Sequence, residues 1–207
     1  MGWISSFIQL LSKNLEISEF NPIETIETNI NGTVNMIQMA TRNKPKKFLN
    51  ISTDKAAEPS TLYGSTKQLG EILTSWAGIH VATTKFATVR FGNIFETRGN
   101  VFDVWNEETK SNLPISITDP AMTRYFIHMN EAVDFILSCL PLINHGEIFV
   151  PKLKLYKLKD MALKVSRKHK IIGIRRGEKL DEILITESEK RKAIEKKDKW
   201  ILNPYGR

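Results

Sequence analysis

The chain has 207 residues, of which 41% are hydrophobic and 26% charged, a composition that excludes disordered and fibrous classes and suits one sizeable domain or a domain plus a lobe. The net charge of +7 is uneven: residues 152 to 207 carry 18 Lys/Arg against 8 Asp/Glu, whereas residues 1 to 151 carry 12 against 15. The basic C-terminal quarter reads as a solvated Lys-rich surface over Glu187 to Lys199, with attraction for a polyanion or a diphosphate as its functional alternative.

The apolar start, Trp3 to Leu11, is too short to span a bilayer and lacks the basic flank and cleavage site of a signal peptide, so the chain reads as cytoplasmic. A helix should follow from Asn21, with Asn21 and Glu24 as a capping box and Pro22 at its first position. It should run to about Thr41, with Asn43 as a left-handed terminator and Pro45 beyond it. Gly32 inside it points to a close backbone approach.

Lys47 to Ser52, with Phe48, Leu49 and Ile51 at its centre, has the length of a short buried strand. The polar triplet Thr53, Asp54 and Lys55 follows, where an open α/β sheet places its ligands, outside the carboxyl end of a strand. After Pro59 the chain restarts as a helix capped by Ser60 or Thr61, with Leu62, Leu69, Ile72, Leu73 and Trp76 at helical spacing, ending near Gly78. Tyr63 and Lys67 lie one turn apart on one face. An ammonium beside a phenol favours phenolate and makes tyrosine a base for a hydroxyl proton; without context, the same spacing describes an ordinary exposed pair.

Thr84 to Phe91 forms the next strand, and strands separated by helices imply an α/β fold with a parallel sheet. Ile115 to Thr118 and Met122 to His128 read as short strands around the turn Asp119-Pro120, and Asn130 should cap a helix through Leu140. Cys139 falls in that apolar helix and reads as a core residue. The four histidines show no ligand spacing, so no metal is assigned.

Ser52-Thr53-Asp54-Lys55-Ala56-Ala57, then Pro59, then Leu62-Tyr63-Gly64 and Thr66-Lys67, resemble the UDP-N-acetylglucosamine 4,6-dehydratases, the CapD-like family within the extended short-chain dehydrogenase/reductase superfamily. Further stretches are similar: Thr28-Asn29-Ile30 with Gly32-Thr33 and Asn35; Val89-Arg90-Phe91-Gly92-Asn93-Ile94 with Thr97-Arg98-Gly99-Asn100-Val101, where Glu96 replaces the family's Gly; Ile117 to Arg124; Glu131 to Phe135; Gly146 to Lys152; and Ile172 to Leu180, where Arg176 replaces Pro.

The resemblance implies a Rossmann-like domain over residues 11–112 carrying the catalytic motif, and a smaller nucleotide-sugar lobe over 113–207. It implies NADP or NAD as cofactor, held by Ser52, Thr53, Tyr63, Lys67 and Asn93. Tyr63 would be the base for the sugar C4 hydroxyl, Lys67 would lower its pKa, and Thr53 or Ser52 would position the oxygen. Lys55 would take the C5 proton and protonated Asp54 would release the C6 hydroxyl. Asn93, Arg98, Arg124, Lys152, Arg175 and Glu178 are the implied substrate contacts, since a guanidinium grips phosphate with paired donors; for the arginines and Lys152 the alternative is a surface salt bridge.

A dinucleotide-binding half should open with a strand, a Gly-rich turn and a helix. The only glycine before Gly32 is Gly2, and the resemblance begins near Leu11, so the chain is expected to be N-terminally truncated, its sheet incomplete and its cofactor binding weakened. The expected partners are a UDP-sugar and either a second copy or a complementing N-terminal half, with no nucleic acid and no membrane span. A catalytically inactive interaction subunit and a nucleotide-sugar 4-epimerase are the alternatives, the latter having no need of Asp54-Lys55.

Overall fold

The computed structural model describes residues 6–9, 15–97, 99–175 and 177–205. In chain order the elements are β1 (Ser6–Gln9), α1 (Leu15–Phe20), α2 (Pro22–Ile26), a π-helical turn (Glu27–Asn31), α3 (Gly32–Asn43), β2 (Lys47–Thr53), a 3-10 turn (Asp54–Ala56), α4 (Leu62–His80), β3 (Lys85–Phe91), β4 (Asn93–Ile94) and α5 (Val101–Lys110). There follow β5 (Ile115–Ile117), β6 (Thr123–Ile127), α6 (Met129–Cys139), β7 (Ile148–Pro151), β8 (Leu155–Lys157), α7 (Leu158–Val165), β9 (His169–Ile171), α8 (Glu187–Lys190), β10 (Ile194–Glu195) and β11 (Lys199–Leu202).

Two compact units divide the chain, one from residues 1–91, 133–152 and 183–207, the other from 92–132 and 153–182. The sequence suggested a single cut between 112 and 113. The chain instead returns twice to the first unit, because β3 is buried along nearly its whole length and needs a neighbour on each side, β2 on one and β7 on the other.

The first unit is an α/β layer with strand order β1-β2-β3-β7-β11-β10. β1, β2, β3 and β7 run parallel, and β11 and β10 add antiparallel strands. Phe48 and Phe86, partners in register, pack as a tilted pair with ring centres 5.0 Å apart, in one cluster with Ile37, Ala40 and Ala77. Burying such side chains stabilises by about 1.5–3 kcal/mol each.

Helix α4 begins as expected at Thr61, whose hydroxyl accepts from the Gly64 N–H at 3.1 Å. Its far end and its inward face differ from expectation. The helix continues to His80, and Gly78 is a contact point: a Cβ there would sit 2.4 Å from the Gly146 nitrogen. The inward face is small and polar (Tyr63, Thr66, Lys67, Gly70, Glu71, Thr74, Ser75), while Leu69, Ile72 and Trp76 point outward and Leu73 joins the core.

The first long helix also departs from its sequence reading. Asn21 makes no side-chain cap bond, and its carbonyl instead accepts from the Thr25 hydroxyl at 2.9 Å. The helix is widened by the π turn, and the left-handed residue that ends it is Lys44, with φ 51°, one position after Asn43.

The second unit holds two small sheets, β4-β6-β8 and β5-β9. The two short strands flanking Asp119-Pro120, β5 and β6, therefore pair with different partners. Trp105 of α5 fills the core with Ile115, Ile117, Met122, Phe126, Leu158 and Met161, and its indole N–H donates to the Ser116 carbonyl at 2.6 Å. Gly92 admits the Tyr125 backbone, whose oxygen would lie 2.6 Å from a Cβ at that position. α6 starts at Met129, so Asn130 lies inside it.

Candidate active site

Strand β2 ends by delivering Ser52, Thr53, Asp54 and Lys55 at its carboxyl end, and α4 starts eight residues after Asp54, which folds Tyr63 and Lys67 back over the same place. Gly64 makes this close return feasible. A Cβ there would lie 2.5 Å from the Lys55 carbonyl oxygen, so any side chain would push the Asp54-Lys55 turn off the helix. Leu62 is fixed as well, its N–H donating to Glu19 at 2.6 Å.

Asp54 is the centre of the charged cluster. Its side chain is fully enclosed. One carboxylate oxygen, Oδ1, accepts from the Thr53 hydroxyl at 2.9 Å and from the Lys55 ammonium at 3.0 Å, while Oδ2 is buried without a hydrogen-bond partner. The Ser52 hydroxyl is also buried and unpartnered. Uncompensated buried polar atoms cost about 1–3 kcal/mol each, so two of them at the mouth of a parallel sheet mark places that a ligand's polar atoms would fill.

Tyr63 is buried, and burial pushes its phenol up to about 12; the Lys55 ammonium and the nearby Thr53 side chain act against that shift, and Asp54 adds to it. Lys67 was expected to depress this phenol. Its ammonium instead donates to the Ile51 carbonyl at 2.5 Å, and burial lowers it to about 8, opposed by Glu71. Lys55, then, is the cation that favours phenolate, and the expected depression of Tyr63 towards neutrality is not realised.

Asn29, which the sequence pattern includes without a role, is a buried polar residue packed against α4. The π turn carries it inward, fully buried, where its Nδ2 donates to the Thr66 hydroxyl at 2.9 Å and its Oδ1 has no partner. Thr66 in turn donates to the Tyr63 carbonyl at 2.9 Å. The available signal was an Asn three residues before a helical Gly.

Deeper in the same face Arg90 grips Glu71 with Nε at 2.9 Å and Nη2 at 2.7 Å, and reaches Glu189 at 2.9 and 3.1 Å. These carboxylates hold the guanidinium above its usual range against the opposing effect of burial. This network ties the C-terminal segment to β3 and α4.

The substrate-contact candidates fare differently. Lys152, in the first unit, pairs with Glu195 at 2.5 Å and lies over the Trp200 ring, which is the salt-bridge alternative. In the second unit Asn93 stands on β4 in register with Phe126. Arg124 is buried and donates to the carbonyls of Thr123, Lys179 and Leu180 at 2.7, 2.9 and 3.1 Å. Glu178 accepts from the exposed Arg175's own N–H at 3.0 Å. Arg98 and Arg176 lie outside the described residues. Glu96, where the family's Gly was expected, accepts from the His128 ring at 2.6 Å and from the Met129 N–H at 2.9 Å; these bonds lower the Glu96 carboxyl and raise the His128 imidazole. Among the described residues no cluster of His, Cys, Asp and Glu could hold a metal, and no helix is long and apolar enough to cross a membrane.

Comparison with known proteins gives a consistent picture. The profile of a family described as polysaccharide biosynthesis protein matches residues 11–204. An uncharacterized membrane protein of Methanocaldococcus jannaschii is 39% identical, covering 94% of this chain and 63% of the relative. A UDP-N-acetylglucosamine 4,6-dehydratase (inverting) of Campylobacter jejuni is 39% identical over 93% of this chain and 59% of the relative. The chain thus spans about 60% of the length of these relatives. Among solved structures, that of Pen from Bacillus thuringiensis superposes with a TM-score of 0.91 at 31% identity, covering 98% of this chain and 67% of that one.

Proposed function

This chain belongs to the polysaccharide biosynthesis protein family, whose profile spans residues 11–204, and from that premise we propose that it carries the acid and base residues of a nucleotide-sugar 4,6-dehydratase acting on a UDP-N-acetylglucosamine-type substrate. The observation that carries the reading is an enclosed aspartate with one unpartnered oxygen and a lysine 3.0 Å from it, in the turn over which α4 folds back a buried tyrosine whose phenol feels both charges. An elimination needs a base at C5 and an acid at the C6 hydroxyl together, and adjacent residues in one rigid turn supply both.

The roles follow from position. Tyr63 removes the C4 hydroxyl proton. Lys55, the less enclosed of the charged pair, takes the proton from C5, and Asp54 delivers one to the departing C6 hydroxyl. A nicotinamide cofactor, NADP or NAD, would accept hydride from C4 and return it at C6. Within the first unit, the unpartnered Ser52 hydroxyl, Thr53, Tyr63 and Lys67 are the residues that would hold it. Since Lys67 sits on the Ile51 carbonyl, its ammonium is presented at the carboxyl end of the sheet, where a ribose hydroxyl would meet it. The 207 residues hold no Gly-rich strand-turn-helix, so affinity for the dinucleotide should be weak without one. A cytoplasmic setting, and a second copy or a complementing segment as partner, belong to the same proposal.

The test is incubation with UDP-N-acetylglucosamine and NADP or NAD in deuterated water, followed by proton NMR. A 4-keto-6-deoxy sugar with deuterium at C5 is the expected product. A UDP-sugar altered only at C4 would establish the epimerase alternative, and no change in the sugar under saturating cofactor would establish the inactive subunit.

A further inference from the structure

The second unit separates its charges along the chain. Residues 92–132 carry 3 Lys/Arg against 6 Asp/Glu, whereas residues 153–182 carry 10 against 4. Within the second run, Leu163 to Gly177 contains no acidic residue. Four of its cations, Lys164, Arg167, Lys168 and Lys170, are exposed and meet no carboxylate among the described residues. The carboxylate that reaches this edge of the small sheet is Glu108, and it is occupied. Its two oxygens accept from the Ser116 N–H at 2.8 Å and the Ser116 hydroxyl at 2.6 Å, on the strand position opposite Lys170.

The same run presents apolar side chains to solvent. Among the described strands β9 pairs only with β5, so its other edge is open, and all three of its residues are exposed. Ile171, Ile172 and Ile174 are 59%, 42% and 50% exposed. The chain leaves the sheet after the Ile172 N–H donates to the Ile117 carbonyl at 2.9 Å. It then turns at Gly173, whose φ is 85° and around which a Cβ would meet nothing within 4 Å. The isoleucines therefore stand at an open turn directly after the cations. Lysines on an edge strand serve to keep it from pairing with another strand. That role accounts for Lys168 and Lys170 but gives no reason for three large exposed apolar side chains within four positions.

We propose that the segment from Lys164 to Ile174 is a peripheral docking site for an anionic lipid surface. Ile171, Ile172 and Ile174 enter the headgroup boundary, and Lys164, Arg167, Lys168 and Lys170 stay among the lipid phosphates. Two properties together select a bilayer over other polyanions. Apolar side chains gain by leaving water at the acyl boundary, cations gain by attraction to the charged surface, and interfacial binding scales with both. A nucleic acid would use the cations alone, because single strands stack on aromatic side chains and Leu163 to Gly177 contains no Phe, Tyr or Trp. Arg175, a candidate diphosphate contact, is not needed for the docking. The site concerns where the chain works and stands apart from the dehydratase reading.

The test is co-sedimentation of the full 207-residue chain with vesicles of phosphatidylcholine alone and of an equal mixture of phosphatidylcholine and phosphatidylglycerol. Binding to the mixed vesicles only is expected, weakening as salt is raised. Lys168→Gln with Lys170→Gln should weaken it by about 25-fold, about fivefold for each cation. Ile171→Ser with Ile172→Ser keeps every charge and should weaken it by about tenfold or more. If that pair fails to fold, Ile174→Ser at the open turn takes its place. Equal binding to both vesicles, or binding to neither, overturns the proposal. So does binding that the serine variants leave intact and single-stranded DNA competes away, which would make the segment a plain polyanion surface. A wild-type chain that sediments as a dimer and a serine variant that sediments as a monomer, with lipid bound by neither, would assign the isoleucines to a second copy and overturn it as well.

Discussion

The two units use buried charge in opposite ways, and two arginines show it. Arg90, in the first unit, is held by two carboxylates, Glu71 and Glu189. Arg124, in the second, points its guanidinium at three backbone carbonyls and meets no carboxylate there. The same contrast holds for the functional candidates. Thr53, Asp54 and Lys55 touch one another and leave Asp54 Oδ2 without a hydrogen-bond partner, whereas Arg124 and Glu178 are engaged by their own unit's backbone. A buried polar atom left without a partner, such as Asp54 Oδ2, is a place for a proton or a ligand, and the Arg124 guanidinium, spent on three carbonyls, offers none.

The largest effect that would sharpen this comparison is on turnover. Tyr63→Phe should lower elimination by a factor of ~10² to 10⁴, with no reduced nicotinamide appearing in rapid-mixing absorbance, because the C4 hydroxyl keeps its proton. Next, Arg90→Met should cost about 3–5 kcal/mol in denaturant unfolding, since it leaves Glu71 as a buried, unpaired carboxylate. A loss below about 1 kcal/mol would mean that water already reaches this network.

The third effect is a pH dependence. Lys67 is lowered from 10.5 to about 8 in the fold, so between those values the unfolded chain binds a proton that the folded chain does not. Stability contributed by this group therefore rises with pH across the window, by up to about 3 kcal/mol. Tyr63, raised from 10.0 to about 12, has the opposite sign, its contribution falling as pH climbs from 10 to 12. The difference in melting temperature between wild type and Lys67→Met should change across pH 8 to 10.5; a constant difference would show that the lysine titrates normally. The smallest effect belongs to the second unit. Arg124→Lys should lose about 1–3 kcal/mol, because one ammonium replaces a fork over three carbonyls, with little change in the KM for the sugar nucleotide. A large KM change with unaltered stability would move Arg124 from the scaffold to the substrate.

What the sequence made legible divides along the same line. The strand at Lys47, the polar triplet and the helical Tyr63-to-Lys67 spacing depend on local periodicity, and each stands where it was expected, with the parallel pairing of β2 and β3. The partners of those side chains depend on distant segments. Lys67 was read as facing Tyr63, but the Ile51 carbonyl, presented by a neighbouring strand, captures it. Gly78 carries the same signal as a helix terminator and serves as a contact with Gly146, which local sequence cannot distinguish. The π turn that swings Asn29 inward has no sequence pattern of its own, and the return of β7 and β11 to the first sheet follows from what β3 needs, not from any motif near residue 148.

The central claim is that the Asp54-Lys55 turn performs the elimination. Its most direct test is Lys55→Ala in the enzyme loaded with nicotinamide cofactor and UDP-N-acetylglucosamine, followed by the absorbance of the reduced cofactor. With Tyr63 intact, oxidation at C4 proceeds and the C5 proton has no base, so the absorbance should rise and stay high with no 6-deoxy product. If Lys55→Ala instead turns over normally, with solvent deuterium entering C5, the lysine is only the ion-pair partner of Asp54 and the account is wrong.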